Sequence, residues 1–437
     1  MTTFPKYERY KDSGVEWLGE VPEHWDVQSL RAVAGLYVEK NQPDLPVLSV
    51  YREYGVILKD SRDDNHNATS LDTSNYKVVR PGDLAVNKMK AWQGSLGVSE
   101  HHGIVSPAYI TCRLNQEKVT GRYIHYLLRS KSLIGALDSI SYGVRVGQWD
   151  MRFEDFKKVG ITIPPKPEQG RIVAFLDQKM AEIDALIAKK QRQIELLDEQ
   201  KAILINRAVT RGLNPNAKLK PSGIEWIGEI PAHWEVVTFR RLIDAICDGP
   251  FGSGLTSSHY SDYGTRVIRL GNIGKGTFKN ADRAFIPDPY AAKLSHHKVV
   301  RNDLLVAGLG DSNNPVGRAC IYERDEPAIV KADCYRVRLK DRRLNGFVAL
   351  YLSSKTGAAG FSAATRGSTR SRVNLEITKE VWVVRPAVED TQEIEEFVGR
   401  LEATAQKAVA AVEFQIESLK TLRSTLIAHA VTGRIKV

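Results

Sequence analysis

A chain of 437 residues, 42% hydrophobic and 26% charged, has length for roughly two to four domains with their own cores, and this ordinary composition excludes collagen-like and disordered classes. Lys and Arg exceed Asp and Glu by 62 to 52, and the net charge of +10 favours a polyanionic partner, against the plainer alternative of a merely basic protein. Cys112, Cys247, Cys320 and Cys334 form no CxxC pair, so neither a zinc site nor a disulfide framework is expected. No apolar run approaches the ~18 residues of a membrane span and the start MTTFPKYERYKDSG has no apolar signal core, so a cytoplasmic protein without a membrane partner is expected.

In chain order, residues 1–165 are expected to form a first mixed α and β unit. Its short apolar runs LPVLSVY, DLAVNKM and AYITCRL suggest strands, and residues 121–138 suggest an amphipathic helix. Residues 166–212 change texture to one long helix, with Val173, Leu176, Met180, Ile183, Ile187, Lys190, Ile194, Leu197, Lys201, Leu204 and Ala208 at alternating spacings of three and four. That spacing is a coiled-coil seam. A linker at 213–221, rich in turn formers, leads to a second α and β unit at 222–386, where TRVIRLG, DLLVAGL and CYRVRLK suggest strands and 346–360 a helix. Residues 387–437 repeat the long helix, with Val398, Glu402, Ala405, Val409, Val412, Ile416, Leu419, Arg423, Leu426 and Ala430 on its seam.

The chain is therefore a duplication. DSGVEWLGEVPEHWDV at 12–27 returns as PSGIEWIGEIPAHWEV at 221–236 with 10 of 16 positions identical, QIELL at 193–197 returns as QIESL at 415–419, and RAVTRG returns as HAVTGR. A period above two hundred residues is far too long for a solenoid repeat. A lone seam would stay in water, so each helix is expected to pair with its own repeat, antiparallel, giving an α+β fold of two similar units carried on two long helices. Lys190, Lys201, Glu402 and Arg423 either set the register of that pair or snorkel to solvent.

A search for a catalyst is nearly empty. LGNIGKG at 270–276 has the wrong glycine spacing for a phosphate loop and suits a turn; IPPK at 163–166 lacks the flanking residues of an amino-methyltransferase site; FGSG at 251–254 is a lone glycine pair. His24 and His233 recur only within the repeated Pro-x-His-Trp element, which suits a packing corner better than a metal or catalytic site. Basic and polar loops mixed with aromatics stand out instead. The first unit offers Lys88, Lys90, Trp92 and Gln93, then Tyr142, Arg145, Gln148 and Arg152; the second offers Ser253, Ser257, Asn313, Arg318, Arg366, Arg370, Arg372 and Asn374. Arg suits guanine and Gln or Asn suit adenine in the major groove, while Lys and Ser more often hold phosphates, so these are the candidate DNA contacts.

The paired SGxEWxGExPxHW openings, IPPKPEQGRIVAFLD at the first helix and the AVTxG tail resemble the specificity subunit of type I restriction-modification systems, over essentially the whole chain. VVRPAVEDTQEIEEFV departs from the pattern and leaves the start of the second helix open. The resemblance implies two target-recognition domains on two antiparallel helices, each reading half of a bipartite, asymmetric sequence in double-stranded DNA. It also implies two methyltransferase subunits, which bring S-adenosylmethionine, and a motor-endonuclease partner, with no cofactor and no catalysis in this chain. The alternatives are a stand-alone DNA-binding regulator that dimerises through its coiled coil, and an enzyme with an unrecognised site. If the helices act as a ruler, four residues inserted in the first would move a unit by up to roughly 6 Å, nearly two base pairs. Methylome sequencing of that variant should show a longer spacer between unchanged half-sites, and an unchanged spacer contradicts the ruler.

Overall fold

The computed structural model describes residues 4–62, 69–142, 150–365 and 372–437. The contacts divide the chain into two units, Met1–Gln191 with Glu413–Val437, and Arg192–Val412, so each holds one α and β region and part of both long helices. Those helices run Lys166–Arg211 and Val388–Val431. Pro167 lies in the first turn of the first, where a missing backbone N–H breaks no bond.

The apolar spacing decides which helix faces are covered. Every seam position named above is buried or half-buried, including Leu176, Ile183, Ile187, Ile194, Leu197 and Leu204 on one helix and Val409, Val412, Ile416, Leu419 and Leu426 on the other. In the first unit Leu176, Met180 and Ile183 from the start of the first helix share a core with Leu426, Ala430 and Val431 from the end of the second. In the second unit Ala208 and Val209 share a core with Ile394 and Val398. End packs on start in both, so the helices run antiparallel. Of the polar seam residues, Arg423 reaches across to Asp184 at 3.1 Å, and burial pushes the Glu402 carboxyl up while the Lys201 charge opposes it.

The repeated Pro-x-His-Trp element ties each α and β region to a long helix. His24 Nε2 lies 2.8 Å from Glu168 Oε2 and the Tyr7 hydroxyl donates to Glu168 Oε1 at 2.5 Å, while Trp25 is fully buried. In the second unit His233 Nε2 lies 2.8 Å from Asp390 Oδ2, to which Trp234 Nε1 also donates. Both carboxylates sit in the first turn of their helix, where the helix dipole favours a negative charge. The departure in the second copy leaves this contact in place: Asp390 follows Glu168 by 222 residues, the same offset as QIESL from QIELL and Pro386 from Pro164, so the carboxylate keeps its position and its histidine while the residues around it differ.

Each unit is built on the same four-stranded antiparallel sheet. In the first, β1 (Ala34–Leu36), β2 (Leu84–Asn87), β3 (Leu96–Val98) and β4 (Tyr109–Leu114) take the order β1-β4-β2-β3. In the second, β5 (Ile243–Cys247), β6 (Leu304–Ala307), β7 (Ala319–Ile321) and β8 (Cys334–Leu339) take the order β5-β8-β6-β7. β2 and β6 are buried along most of their length, which is why both are continuous apolar runs rather than alternating ones. The turn before each is a shared device. Gly82 and Asn302 take positive φ, of 92° and 68°, and the next residue, Asp83 or Asp303, accepts from the backbone N–H three residues earlier and pairs with Arg113 or Arg338. Two helices follow each sheet, Gly121–Leu128 and Lys131–Ser139 in the first unit, Asn345–Ser353 and Lys355–Ala364 in the second, broken at Ser130 and Ser354, whose hydroxyls cap the second helix of each pair.

The Glu168 contact gives a pH dependence. Burial alone would raise this carboxyl, but hydrogen bonds from Tyr7 and His24 prevail and hold it below the usual carboxylate range. A depressed folded value adds stability that is present above the unfolded value, near pH 4.3, and is lost as pH falls through the lower folded value. Thermal unfolding of Glu168→Gln against the parent should therefore show a stability gap at neutral pH that closes on acidification below about pH 4. A gap independent of pH contradicts this account.

Candidate nucleic-acid interface

The loops after β2 and after β6 occupy corresponding places, and the sheet and the second helix shape both. Each closes on a glycine of positive φ, Gly94 at 88° and Gly317 at 82°. A Cβ at Gly94 would lie 2.7 Å from Ile134 and one at Gly317 only 2.0 Å from Phe361, so a helix side chain presses on the loop backbone in both units. A second segment then docks on the first in the same manner. Met151 N donates to Lys88 O at 3.0 Å, and Val373 N donates to Gly308 O at 2.9 Å. The repeated fold thus presents two loops side by side at the same place in each unit, and it is in these loops that the two sequences part.

In the first unit this docking gathers several of the expected contact residues. Lys88 pairs with Asp150 at 3.2 Å, and Asp150 lies opposite Tyr142 in a two-residue strand pair, Ser141–Tyr142 with Asp150–Met151. Lys90, Tyr142 and Arg152 are exposed, while Trp92 and Gln93 are half-buried, with Trp92 Nε1 donating to Met89 O at 3.2 Å. Arg145 and Gln148 lie outside the described residues. An exposed Lys–Asp pair is worth at most about 1 kcal/mol, so Lys88 can exchange its carboxylate for a phosphate at little cost.

In the second unit the expected set divides. Asn313 and Ser253 are exposed, and Ser257 is exposed in the short turn Ser257–His259. Hydrogen bonds from Asn313 and Asn314 hold the Asp311 carboxyl low and fix the loop tip. Arg372 is half-exposed, with Nε on Asp333 Oδ1 at 2.8 Å. One expectation is corrected, and Asn374, which stays exposed, has a role within the fold as well. Arg318 is buried, and its guanidinium donates to four backbone carbonyls, those of Ile273, Leu309, Pro315 and Leu270, at 2.8 to 3.1 Å, so it shapes the loop from beneath instead of meeting DNA. The Asn374 side-chain oxygen accepts from Ile377 N and caps the helix Leu375–Glu380. Arg366 and Arg370 lie outside the described residues.

Three residues that belong to this face escaped the sequence analysis. Asp248 accepts from Gly249 N and Asp333 N at 2.7 and 2.9 Å, and burial pushes its carboxyl up to about 6. Asp333, at φ 65°, accepts at its carbonyl from Gly308 N and at its side chain from Arg372, joining three loops. Phe251 lies under the Arg372 guanidinium, 5.7 Å from its ring centre. The FGSG motif was the visible signal, and the structure makes it a loop tip with Gly252 at φ 56°. LGNIGKG is a turn, as its spacing suggests, with a short helical turn at Leu270–Asn272. Among the described residues no group of three or more His, Cys, Asp or Glu could hold a metal ion, and no helix is long and apolar enough to cross a membrane.

Fold and site define a duplicated protein whose two similar units present unlike polar loops. The comparisons with known proteins agree. Residues 39–196 match the family profile described as type I restriction modification DNA specificity domain. The type I restriction enzyme MjaVIII specificity subunit of Methanocaldococcus jannaschii is 23% identical over 95% of this chain and 94% of its own length. The putative MjaX specificity subunit of the same organism is 25% identical over 99% and 98%. A solved chain from a study of type I R-M system assembly and conformational transition matches with a TM-score of 0.63 at 16% identity, over 94% of this chain and 98% of that one. Over nearly its whole length the chain is thus similar to specificity subunits of type I restriction-modification systems, and residues 39–196 match their DNA specificity domain.

Arg318 and Lys90 should separate cleanly on substitution. Arg318→Met leaves buried carbonyls without donors and should destabilise the second unit by at least about 2 kcal/mol in urea unfolding. Lys90→Ala should change stability by less than about 0.5 kcal/mol yet weaken DNA binding and lower the salt slope by about one. An unchanged salt slope would remove Lys90 from the interface.

Proposed function

We propose that this chain selects the DNA sites at which a type I restriction-modification complex acts, each recognition domain reading one half of a bipartite, asymmetric sequence. The observation that carries this reading is the repeated loop pair, joined through Lys88 and Met151 in one unit and Gly308 and Val373 in the other. A shared scaffold with unlike residues at its tips suits two different half-sites: Lys88, Lys90 and Gln93 at one, Asn313, Ser253 and Arg372 at the other. Lysines would hold phosphates and set the register, while Gln, Asn and Arg at the tips would meet base edges.

The chemistry then belongs to partners. Two methyltransferase subunits would bring S-adenosylmethionine and methylate adenine, a motor-endonuclease subunit would cut, and this chain would carry no cofactor and no catalytic group of its own. A base must leave the stack to be methylated, so the recognition loops have to grip a duplex that is being deformed. The whole assembly would work in the cytoplasm, where the DNA is.

Single-molecule sequencing of host DNA, with and without this chain, tests the reading. A bipartite methyladenine motif should vanish on deletion of the chain and return with the gene; methylation that persists after deletion would favour the stand-alone regulator.

A further inference from the structure

Phe251 is placed where its apolar ring serves no core. It is 54% exposed, and of the loops that meet on this face of the second unit, 248–254, 308–318 and 331–334, it carries the one large exposed apolar side chain among the described residues. A single exposed apolar residue is ordinary on a protein surface. What sets this one apart is how firmly its surroundings hold it out. The tip is closed by Gly254 N donating to Phe251 O at 3.0 Å, with Gly252 in the left-handed region, and Tyr290 donates to Gly254 O at 2.7 Å. Tyr290 is itself stacked on His259, with ring centres 4.4 Å apart and planes 7° from parallel. On the other side Arg372, anchored by Asp333, lies over the ring.

The tip is thus pre-organised: little freedom remains to be lost when the ring meets a ligand. A flat apolar surface, backed by a cation and rimmed by hydrogen-bonding loops, suits the face of a nucleobase. Such stacking adds affinity without reading base edges. In duplex DNA it requires a step to open, which is cheapest at pyrimidine–purine steps.

We propose that Phe251 stacks on a nucleobase at an opened step in or beside the half-site taken by the second unit, and that Arg372 holds the ring in position for it. The residue makes the second unit sensitive to the deformability of one base step as well as to base edges. This inference rests on the specificity reading given above.

The test uses the full chain, purified with its partner methyltransferase, on duplexes carrying its methylated motif. 2-Aminopurine is placed in turn at each position except the target adenine. The parent should brighten one position in or beside the second half-site; Phe251→Ala should abolish that signal and bind at least about fivefold more weakly; Phe251→Trp should retain both. Discrimination against mismatches in the first half-site should be unchanged in all three. A Phe251→Ala complex with the parent's fluorescence profile overturns the stacking proposal, as does one that loses affinity while the signal persists. A parent complex that fails to discriminate either half-site overturns the specificity reading itself, a result separate from any difference between the variants.

Discussion

The apolar stripe along each long helix is the constraint on which the rest of this structure depends. A stripe some forty residues long cannot remain in water, and a chain that carries two of them covers both by running the helices antiparallel. Leu176 and Ile183 meet Leu426 and Ala430 in one core, Ala208 meets Val398 in the other, and each core also takes in the α and β region of its own unit. The stripe therefore organises more than a spacer. It gives each recognition domain an apolar floor, and the histidine–carboxylate contacts at Glu168 and Asp390 fix where the helix leaves that floor.

Duplication then separates framework from reader. The Asp83–Arg113 and Asp303–Arg338 pairs, the left-handed turns at Gly82 and Asn302, and the close approaches at Gly94 and Gly317 recur because each satisfies a buried polar group or admits a side chain against the backbone. The loop tips carry no such obligation. Lys90 or Asn313 can change without disturbing the sheet beneath, so one scaffold can hold two unlike recognition surfaces.

Much of the fold was legible in the sequence, because periodicity and repeats report burial directly. The three-four spacing identifies the seam, and the apolar runs 83–89 and 334–340 hold β2 and β8. The site was legible only in part. Composition could identify Arg318 as a basic residue in a polar loop, but its burial beneath four carbonyls depends on segments 45 residues apart. Asn374 looks the same whether it faces DNA or caps a helix. The reduced motif before the second helix hid a carboxylate at the unchanged position, Asp390 in place of Glu168, because the residues around it differ. FGSG marked Phe251 as part of a turn but not its role, since its meaning comes from Arg372 and Asp333 far along the chain.

Buried polar groups also explain why the reader keeps its shape. Arg318 has no carboxylate partner and is satisfied wholly by main-chain oxygens, so loops 270–273 and 309–315 hold one arrangement around it. The central claim is that the two units read independently, and exchange of residues 222–386 for the matching segment of another family member tests it most directly. Methylome sequencing should show the first half-site retained and only the second replaced; a change in both half-sites, or in neither, would contradict the account.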